Sequence, residues 1–351
     1  MTRIGSVHAL LQSGATEEPD RRKASQMKID NSRRHMLMGA AAFVAAGSVP
    51  AMGQGYPSRV IKLVCPFPAG SATDTQARFL AEQIGKVLPQ KIIVENRPGA
   101  SGNLAASSVA RSDPDGYTLL LATNSSHAAN QHLFKSLPFD PVKDFAPIAR
   151  LTRNPLVLVV SEASPAKTVE DLLALAKAQP EKLSYGTGNT GSLAAAQLLM
   201  TLAQVKMTRV PYQGTPQAIT DVLGGRIDVI ITDVAVVREF VQTGKLRALG
   251  VTTAQRLVTM PGVPTIAEAG IAGYDFAAWS GLYGPAGLDA STVQILNRVF
   301  LDAMKGPEAD RFFGLVGLER NPGNPAELAA YQAQQSELWG RIIVQTGIEK
   351  V

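Results

Sequence analysis

The most constraining feature of this chain is a rhythm. From Pro57 onward, short β-branched runs alternate with segments whose apolar residues recur at helical spacing. A strand at 59–65 precedes a helix with Ala77, Leu80, Ala81, Ile84, Val87 and Leu88 on one face. A second strand follows at 91–96, and Pro98-Gly99-Ala100-Ser101-Gly102 turns into another helix. Asp113-Pro114-Asp115-Gly116 is a turn before the strand at 117–122. The apolar run Leu156-Val157-Leu158-Val159-Val160 then restarts the alternation. Thr168 and Asp171 form a capping box for a helix over 169–178. Strands at 182–185 and 207–210 flank a helix at 192–203. The next helix takes Thr215 as N-cap, Pro216 at its first position and Gly224 past its end. Strands at 227–232 and 246–251, an extended stretch at 279–285 and a helical face of Val293, Leu296, Val299, Phe300 and Ala303 complete the pattern. Such alternation predicts βαβ units and mostly parallel sheets. At 351 residues the chain exceeds one ordinary core and suits two α/β units. The residues alone allow these to be sequential or interleaved.

The N-terminal region has a different character. Arg33-Arg34 precede an apolar stretch at 36–49, and Val49-Pro50-Ala51 and Ala51-Met52-Gly53 both suit cleavage after small residues. This is the layout of a secretory signal peptide. The stretch is shorter than the ~20 apolar residues a membrane-spanning helix needs. Ser32-Arg33-Arg34-His35-Met36-Leu37 reads equally as a twin-arginine signal or as a Sec signal with adjacent arginines. Residues 1–26 are polar and mixed in charge, so the leader is expected to start at Met27 and to end by residue 53. It also explains the basic balance. Seven Lys/Arg against four Asp/Glu give residues 1–53 a net +3 of the chain's +5, leaving +2 for the rest. With no basic run in that remainder, nucleic acid is not an expected partner. The single cysteine, Cys65, excludes an internal disulfide and reads as a small hydrophobe at a strand end. His127 and His132 lack further ligands at metal-binding spacing, so neither metal nor cofactor is expected.

Chemistry is expected in the loops that follow strands. Pro68, Ala69, Gly70, Ser71, Ala72 and Thr73, then Asn124, Ser125 and Ser126, then Gly186, Thr187, Gly188, Asn189, Thr190, Gly191 and Ser192, and finally Tyr212, Gln213, Gly214 and Thr215 are rich in small and hydroxyl residues. Most lead into helices, whose first N–H groups and positive dipole ends suit an anion. Open α/β sheets bind ligands at the carboxyl ends of their strands. The segment 186–191 matches G-x-G-x-x-G, but no carboxylate ends the next strand to hold a ribose, which argues against a dinucleotide. G-x-S-x-G, H-E-x-x-H and Walker patterns are absent. Of the carboxylates, Asp228 reads as a turn residue and Asp233 as a polar group at the cleft. Asp74 reads as a first-turn helix residue that also suits a ligand ammonium or hydroxyl.

Several motifs in order carry a family resemblance. They are Pro66-Phe67-Pro68-Ala69-Gly70 with Asp74 and Ala77-Arg78, Val94-Glu95-Asn96-Arg97-Pro98-Gly99-Ala100-Ser101-Gly102, and Asp115-Gly116-Tyr117-Thr118-Leu119-Leu120. Val210-Pro211-Tyr212-Gln213-Gly214, Gly224-Gly225-Arg226-Ile227-Asp228, Pro261-Gly262-Val263-Pro264-Thr265 with Glu268-Ala269-Gly270, and Trp279-Ser280-Gly281 extend it over nearly all of the chain after the leader. The chain resembles the receptors of tripartite tricarboxylate transporters, the TctC-like or Bug proteins. The resemblance implies a two-lobed α/β clamp of the type II periplasmic-binding-protein kind, with interleaved domains. Lobe I would be 54–154 plus 278–351 and lobe II 155–277. A ligand carboxylate would lie between Phe67, Pro68, Ala69, Gly70 and Ser71 on one lobe and Gly186 to Ser192 on the other, with the loop at 212–215 adding a helix end. The family usually has two glycines where this chain has Gly70-Ser71. Its loop at Gly186 is longer and often followed by histidine, so the solute's identity does not carry over. The expectation is a monomeric periplasmic receptor, not an enzyme, for a small carboxylate or amino acid, delivering it to integral membrane permease subunits. A sensory receptor acting on a membrane kinase, or an enzyme on the same bilobal fold, are the alternatives.

Overall fold

The computed structural model describes residues 55–350. The leader over 1–53, with its start at Met27, its arginine pair and its cleavage sites, lies outside the described residues. The elements run β1 (Ile61–Cys65), α1 (Ala72–Gly85), β2 (Ile92–Asn96), a 3-10 turn (Ala100–Gly102), α2 (Asn103–Ala110), β3 (Thr118–Thr123), a π-turn (Ser125–Ala129) continuing into α3 (Asn130–Leu133), and β4 (Phe145–Ser161). They continue through α4 (Val169–Ala178), β5 (Ser184–Thr187), α5 (Thr190–Ala203), β6 (Thr208–Pro211), α6 (Thr215–Leu223), β7 (Val229–Asp233), α7 (Val234–Gln242) and β8 (Leu246–Val251). The last are β9 (Ala277–Pro285), α8 (Ala290–Asp302), α9 (Pro307–Val316), β10 (Glu319–Gly323) and α10 (Pro325–Thr346).

One strand organises the pairing. Over Phe145 to Pro155, β4 pairs with β9, and around Arg150 to Arg153 with β10 as well. From Leu156 to Ser161 its partners are β7 and β8. The strand order β2-β1-β3-β9-β4 thus continues as β4-β7-β5-β6. Pairs among β1, β2 and β3 and among β5, β6 and β7 are parallel, as βαβ units require. Every pair that involves β4 or β9 is antiparallel. The sheets are therefore mixed, not mostly parallel, because the two long strands that link them enter without a crossover helix.

Strand alternation divides each buried strand between two cores. Leu119 and Leu121 join Ile61, Leu63 and Leu80 on one face, while Leu120 and Ala122 face the opposite way with Val64. In β4, Val157 and Val159 pack with Ile230 and Val222, and Leu156, Leu158 and Val160 pack with Leu172 and Leu199. Side chains on both faces are covered, which explains the continuous apolar run at 156–160. Each such fully buried aliphatic contributes about 1.5–3 kcal/mol.

Local corrections to the sequence reading concentrate at element ends. The Thr168–Asp171 capping box and the helix at Val169–Ala178 are as expected. The helix expected at 192–203 starts at Thr190, capped by Asn189, whose side chain accepts from Ser192 N. Thr215 is not an N-cap. Gly214 holds that position in extended conformation, and Thr215 is the first residue of α6. Val87 is 73% exposed, because α1 stops at Gly85 before that residue can join its apolar face. Among the described residues, no helix is long and apolar enough to cross a membrane.

Candidate functional site

The first loop is built around Asp74. Ser71 caps α1, its Oγ accepting from Asp74 N at 3.2 Å, and Gly70 adopts φ 79°, a left-handed conformation that favours glycine. The Asp74 carboxylate accepts from Gly70 N (2.9 Å), Asn96 Nδ2 (2.8 Å) and Arg78 Nε and Nη2 (3.0 and 2.9 Å). Burial alone would raise its pKa, but Arg78, the Gly70 N–H and Asn96 together hold it below the ordinary carboxylate value. Asn96 Nδ2 also donates to Phe67 O at 2.9 Å. Asp74 thus shapes the loop, and its partners are all protein groups.

The loop after β3 presents Asn124 and Ser125. Trp279 N donates to Asn124 Oδ1 at 3.3 Å, which orients the carboxamide so that Nδ2 points the other way as a donor. That Nδ2 is buried and has no hydrogen-bond partner among the described residues. Such an atom in a native fold calls for a physical reason.

Across from it lie the starts of α5, α6 and α7. The Ser192 hydroxyl accepts from Gly188 N (3.1 Å) and Asn189 N (3.3 Å), so those two N–H groups are already used. The first N–H groups of α5 itself have no intrahelical acceptor. Thr190 Oγ1 donates to Asn130 Oδ1 at 2.8 Å, and Thr187 Oγ1 accepts from Arg209 Nε at 3.0 Å. Asp233 ends β7 at the cap of α7, and burial without a cation pushes its carboxyl up to about 6.

The starts of α1, α5 and α7 meet at one small polar cavity of about 20 Å³, to which Thr73, Asn189 and Asp233 contribute. Phe67, Thr73, Thr123, Asn124, Ser125, Asn154, Leu156, Asn189, Asp233 and Ala278 line it. The lining contains no Lys or Arg. Asn154 Oδ1, like Asn124 Nδ2, is buried without a partner among the described residues. The volume accommodates one water-sized group. A Cβ on Gly214 would meet the Pro68 ring at 2.6 Å, and one on Gly70 would touch Pro216 at 3.9 Å. The first loop and the start of α6 are thus in contact.

Of the residues expected from sequence, Phe67, Asn124, Ser125, Asn189 and Asp233 line the cavity. Pro68, Gly70, Gly188 and Gly214 form the packed loop contact beside it, and Gly191 lies against Asn124. Ser71, Thr190 and Ser192 are engaged in caps or hydrogen bonds. Ala69 and Gln213 are exposed, and Tyr212 donates its hydroxyl to Asp221 at 2.7 Å. Gly186 packs against Ile227 and Ala218 and has a packing reason of its own. Asp228 accepts from Ser184 N and Oγ, as a turn residue would. Thr73, in the expected loop at 68–73, also lines the cavity, whereas sequence reasoning missed Thr123, Asn154, Leu156 and Ala278. Asn154 is a polar residue just ahead of a buried apolar run, but followed by Pro155 it reads as a turn.

Nucleophile and base chemistry finds little footing here. Burial pushes the Cys65 thiol up to about 12, so it stays protonated. His127 is buried beside Phe145 and Tyr283, and burial pushes it down to about 3. Neither lines the cavity. No group of three His, Cys, Asp or Glu side chains able to hold a metal occurs among the described residues. What the cavity can do is hold a small oxygen-bearing group between a carboxamide donor and several helix starts.

Comparisons with known proteins bear on the family and the fold. The description "Tripartite tricarboxylate transporter family receptor" matches residues 76–348. Protein BugT of Bordetella pertussis is 31% identical over 312 residues, covering 87% of this chain and 95% of BugT. Among solved structures, R. palustris Rpa4515 with adipate is 32% identical with a TM-score of 0.82, covering 84% of this chain and all of the other. The periplasmic binding protein BugD is 29% identical, with a TM-score of 0.81 and coverages of 84% and 100%. MatC from Rhodopseudomonas palustris with bound malate is 31% identical, with a TM-score of 0.77 and coverages of 82% and 100%. The fold is the α/β fold of these binding proteins, and the chain belongs to the tripartite tricarboxylate transporter receptor family.

Proposed function

We propose that this chain is a periplasmic receptor that captures a small carboxylate-bearing solute in the polar cavity and delivers it to a tripartite tricarboxylate-type membrane permease. It works as a binding protein, without a catalytic step. Lobe I is 54–154 with 278–351, lobe II is 155–277, and the lobes close by hinge motion through β4 and β9. The change of β4 partners between Pro155 and Leu156 supports that division. The observation that carries the reading is the buried, unpartnered Asn124 Nδ2 at a cavity where α1, α5 and α7 begin. A carboxylate oxygen there accepts the carboxamide hydrogen and meets the positive ends of those helices. Adipate and malate in the related structures favour a small dicarboxylate. Because the closed cavity is so small, the solute enters an open form and the loops then shut around it.

The test is calorimetric titration of the purified protein with a panel of mono- and dicarboxylates, alongside Asn124→Ala. A carboxylate should bind the parent, and the variant should bind it about tenfold to a hundredfold more weakly, the range for a hydrogen bond to a charged group. Circular dichroism checks that the variant is folded. A folded variant with parental affinity would remove Asn124 from the site, and binding only of neutral solutes would overturn the carboxylate reading.

A further inference from the structure

A second cavity, of about 160 Å³, adjoins the first and shares Asn189 with it. Its walls have a different chemistry. Leu133, Phe134, Leu193 and Ile348 supply apolar surface, and Arg209 supplies a cation. Arg209 stands on β6 and is steadied by one bond, from Nε to Thr187 Oγ1 on β5 at 3.0 Å. Arg209 is an exposed residue of β6, it forms no salt bridge among the described residues, and the bond to Thr187 is its one side-chain hydrogen bond there. Glu349 also borders the cavity, as an exposed residue of the C-terminal tail.

We propose that this compartment reads the far end of the solute, and that Arg209 selects solutes carrying a second acidic group beyond an apolar body. The inference rests on the carboxylate reading of the first cavity. The two volumes decide the assignment. The polar cavity has room for one water-sized group, such as a carboxylate oxygen, while the larger one has room for a methylene chain or ring, whose burial against aliphatic and aromatic walls is favourable. A guanidinium anchored through Nε still offers its terminal N–H groups to a carboxylate, in the planar geometry that arginine provides and lysine does not. The solute class is an α,ω-diacid, with its acid groups separated by enough hydrocarbon to pass Asn189.

The experiment titrates the full chain with diacids from butanedioate to octanedioate, with the monoacids of equal length, and with 6-aminohexanoate. The parent should bind its best diacid about tenfold or more tightly than the matching monoacid, the scale of a charge-assisted hydrogen bond in a partly solvated site. Arg209→Gln should remove that preference by weakening the diacid alone, with monoacid affinity unchanged. Arg209→Lys should restore only part of it. A diacid-to-monoacid ratio unchanged in Arg209→Gln would overturn the proposal and leave the carboxylate receptor standing. Tighter binding of 6-aminohexanoate than of hexanedioate would also overturn it, because Glu349 would then be reading the far end. Absence of any carboxylate binding by the parent overturns both readings together.

Discussion

Asp233 is held in a place that disfavours its charge. Burial raises its carboxyl from 3.8 to about 6, so the folded protein keeps a proton that the unfolded chain releases near pH 4. Between those values the native state binds more protons, and stability falls as pH rises. The contribution is fully present below about pH 4 and is lost as pH passes about 6. At about 1.4 kcal/mol per pH unit, it amounts to roughly 3 kcal/mol. Asp233→Asn should therefore match the ligand-free parent at pH 4 and exceed it by up to about 3 kcal/mol at pH 7, as read by urea unfolding across that range. Parallel pH profiles would show that Asp233 is solvated before solute binds. Asp233 was visible in the sequence as a carboxylate at a strand end. Asn154 was not, because an asparagine before a proline reads as a turn. Only the pairing of Asn154 with Ala278 inside a strand places it in the cavity.

At the scale of elements, the contact between Gly214 and Pro68 is the most direct handle on closure. Gly214 has an extended backbone, φ −171°, so alanine fits its conformation and only the added methyl matters. That methyl would lie 2.6 Å from the Pro68 ring, which cannot swing aside as a flexible side chain would. Overpacking of this kind costs about 1–3 kcal/mol, and it is incurred only when the loops meet. Gly214→Ala should weaken solute binding by about tenfold while leaving ligand-free stability within about 0.5 kcal/mol of the parent. Unchanged affinity in titration would mean that the bound form does not bring these loops together.

The same elements show what sequence pattern conveys. The helix at Val169–Ala178 was legible because Thr168 and Asp171 cap each other at a fixed spacing. The start of α5 was misplaced because Asn189 and Ser192 both suit a cap, and in the fold they cap reciprocally. The first eleven residues of β4 were hidden by Pro147, Arg150, Arg153 and Pro155, of which the prolines in particular rarely mark a strand interior. The strand tolerates them through register shifts between Pro147 and Ala149 and between Arg150 and Thr152. Gly186 and Gly188, read as backbone offered to a ligand, are small because Ile227 and the Gly214–Thr215 backbone press against them.

For the whole molecule, the sequence rhythm specified an α/β protein but left the order of its two units open. Interleaving is what the family resemblance implies, since no local pattern reveals which strands pair across more than a hundred residues. Arg153 and Trp279 illustrate this, being register partners with no shared signal in the chain. The pairing has a consequence for how the protein comes apart. Since β4 lends one end to β9 and β10 and the other to β7 and β8, neither group of strands can melt without stripping the strand that the other depends on. Scanning calorimetry of the ligand-free protein should show one transition, with calorimetric and van't Hoff enthalpies in agreement. Two resolved transitions would show that the halves unfold separately. A sheet held together by one strand common to both sides has no seam at which to divide, so both sides form a single cooperative unit.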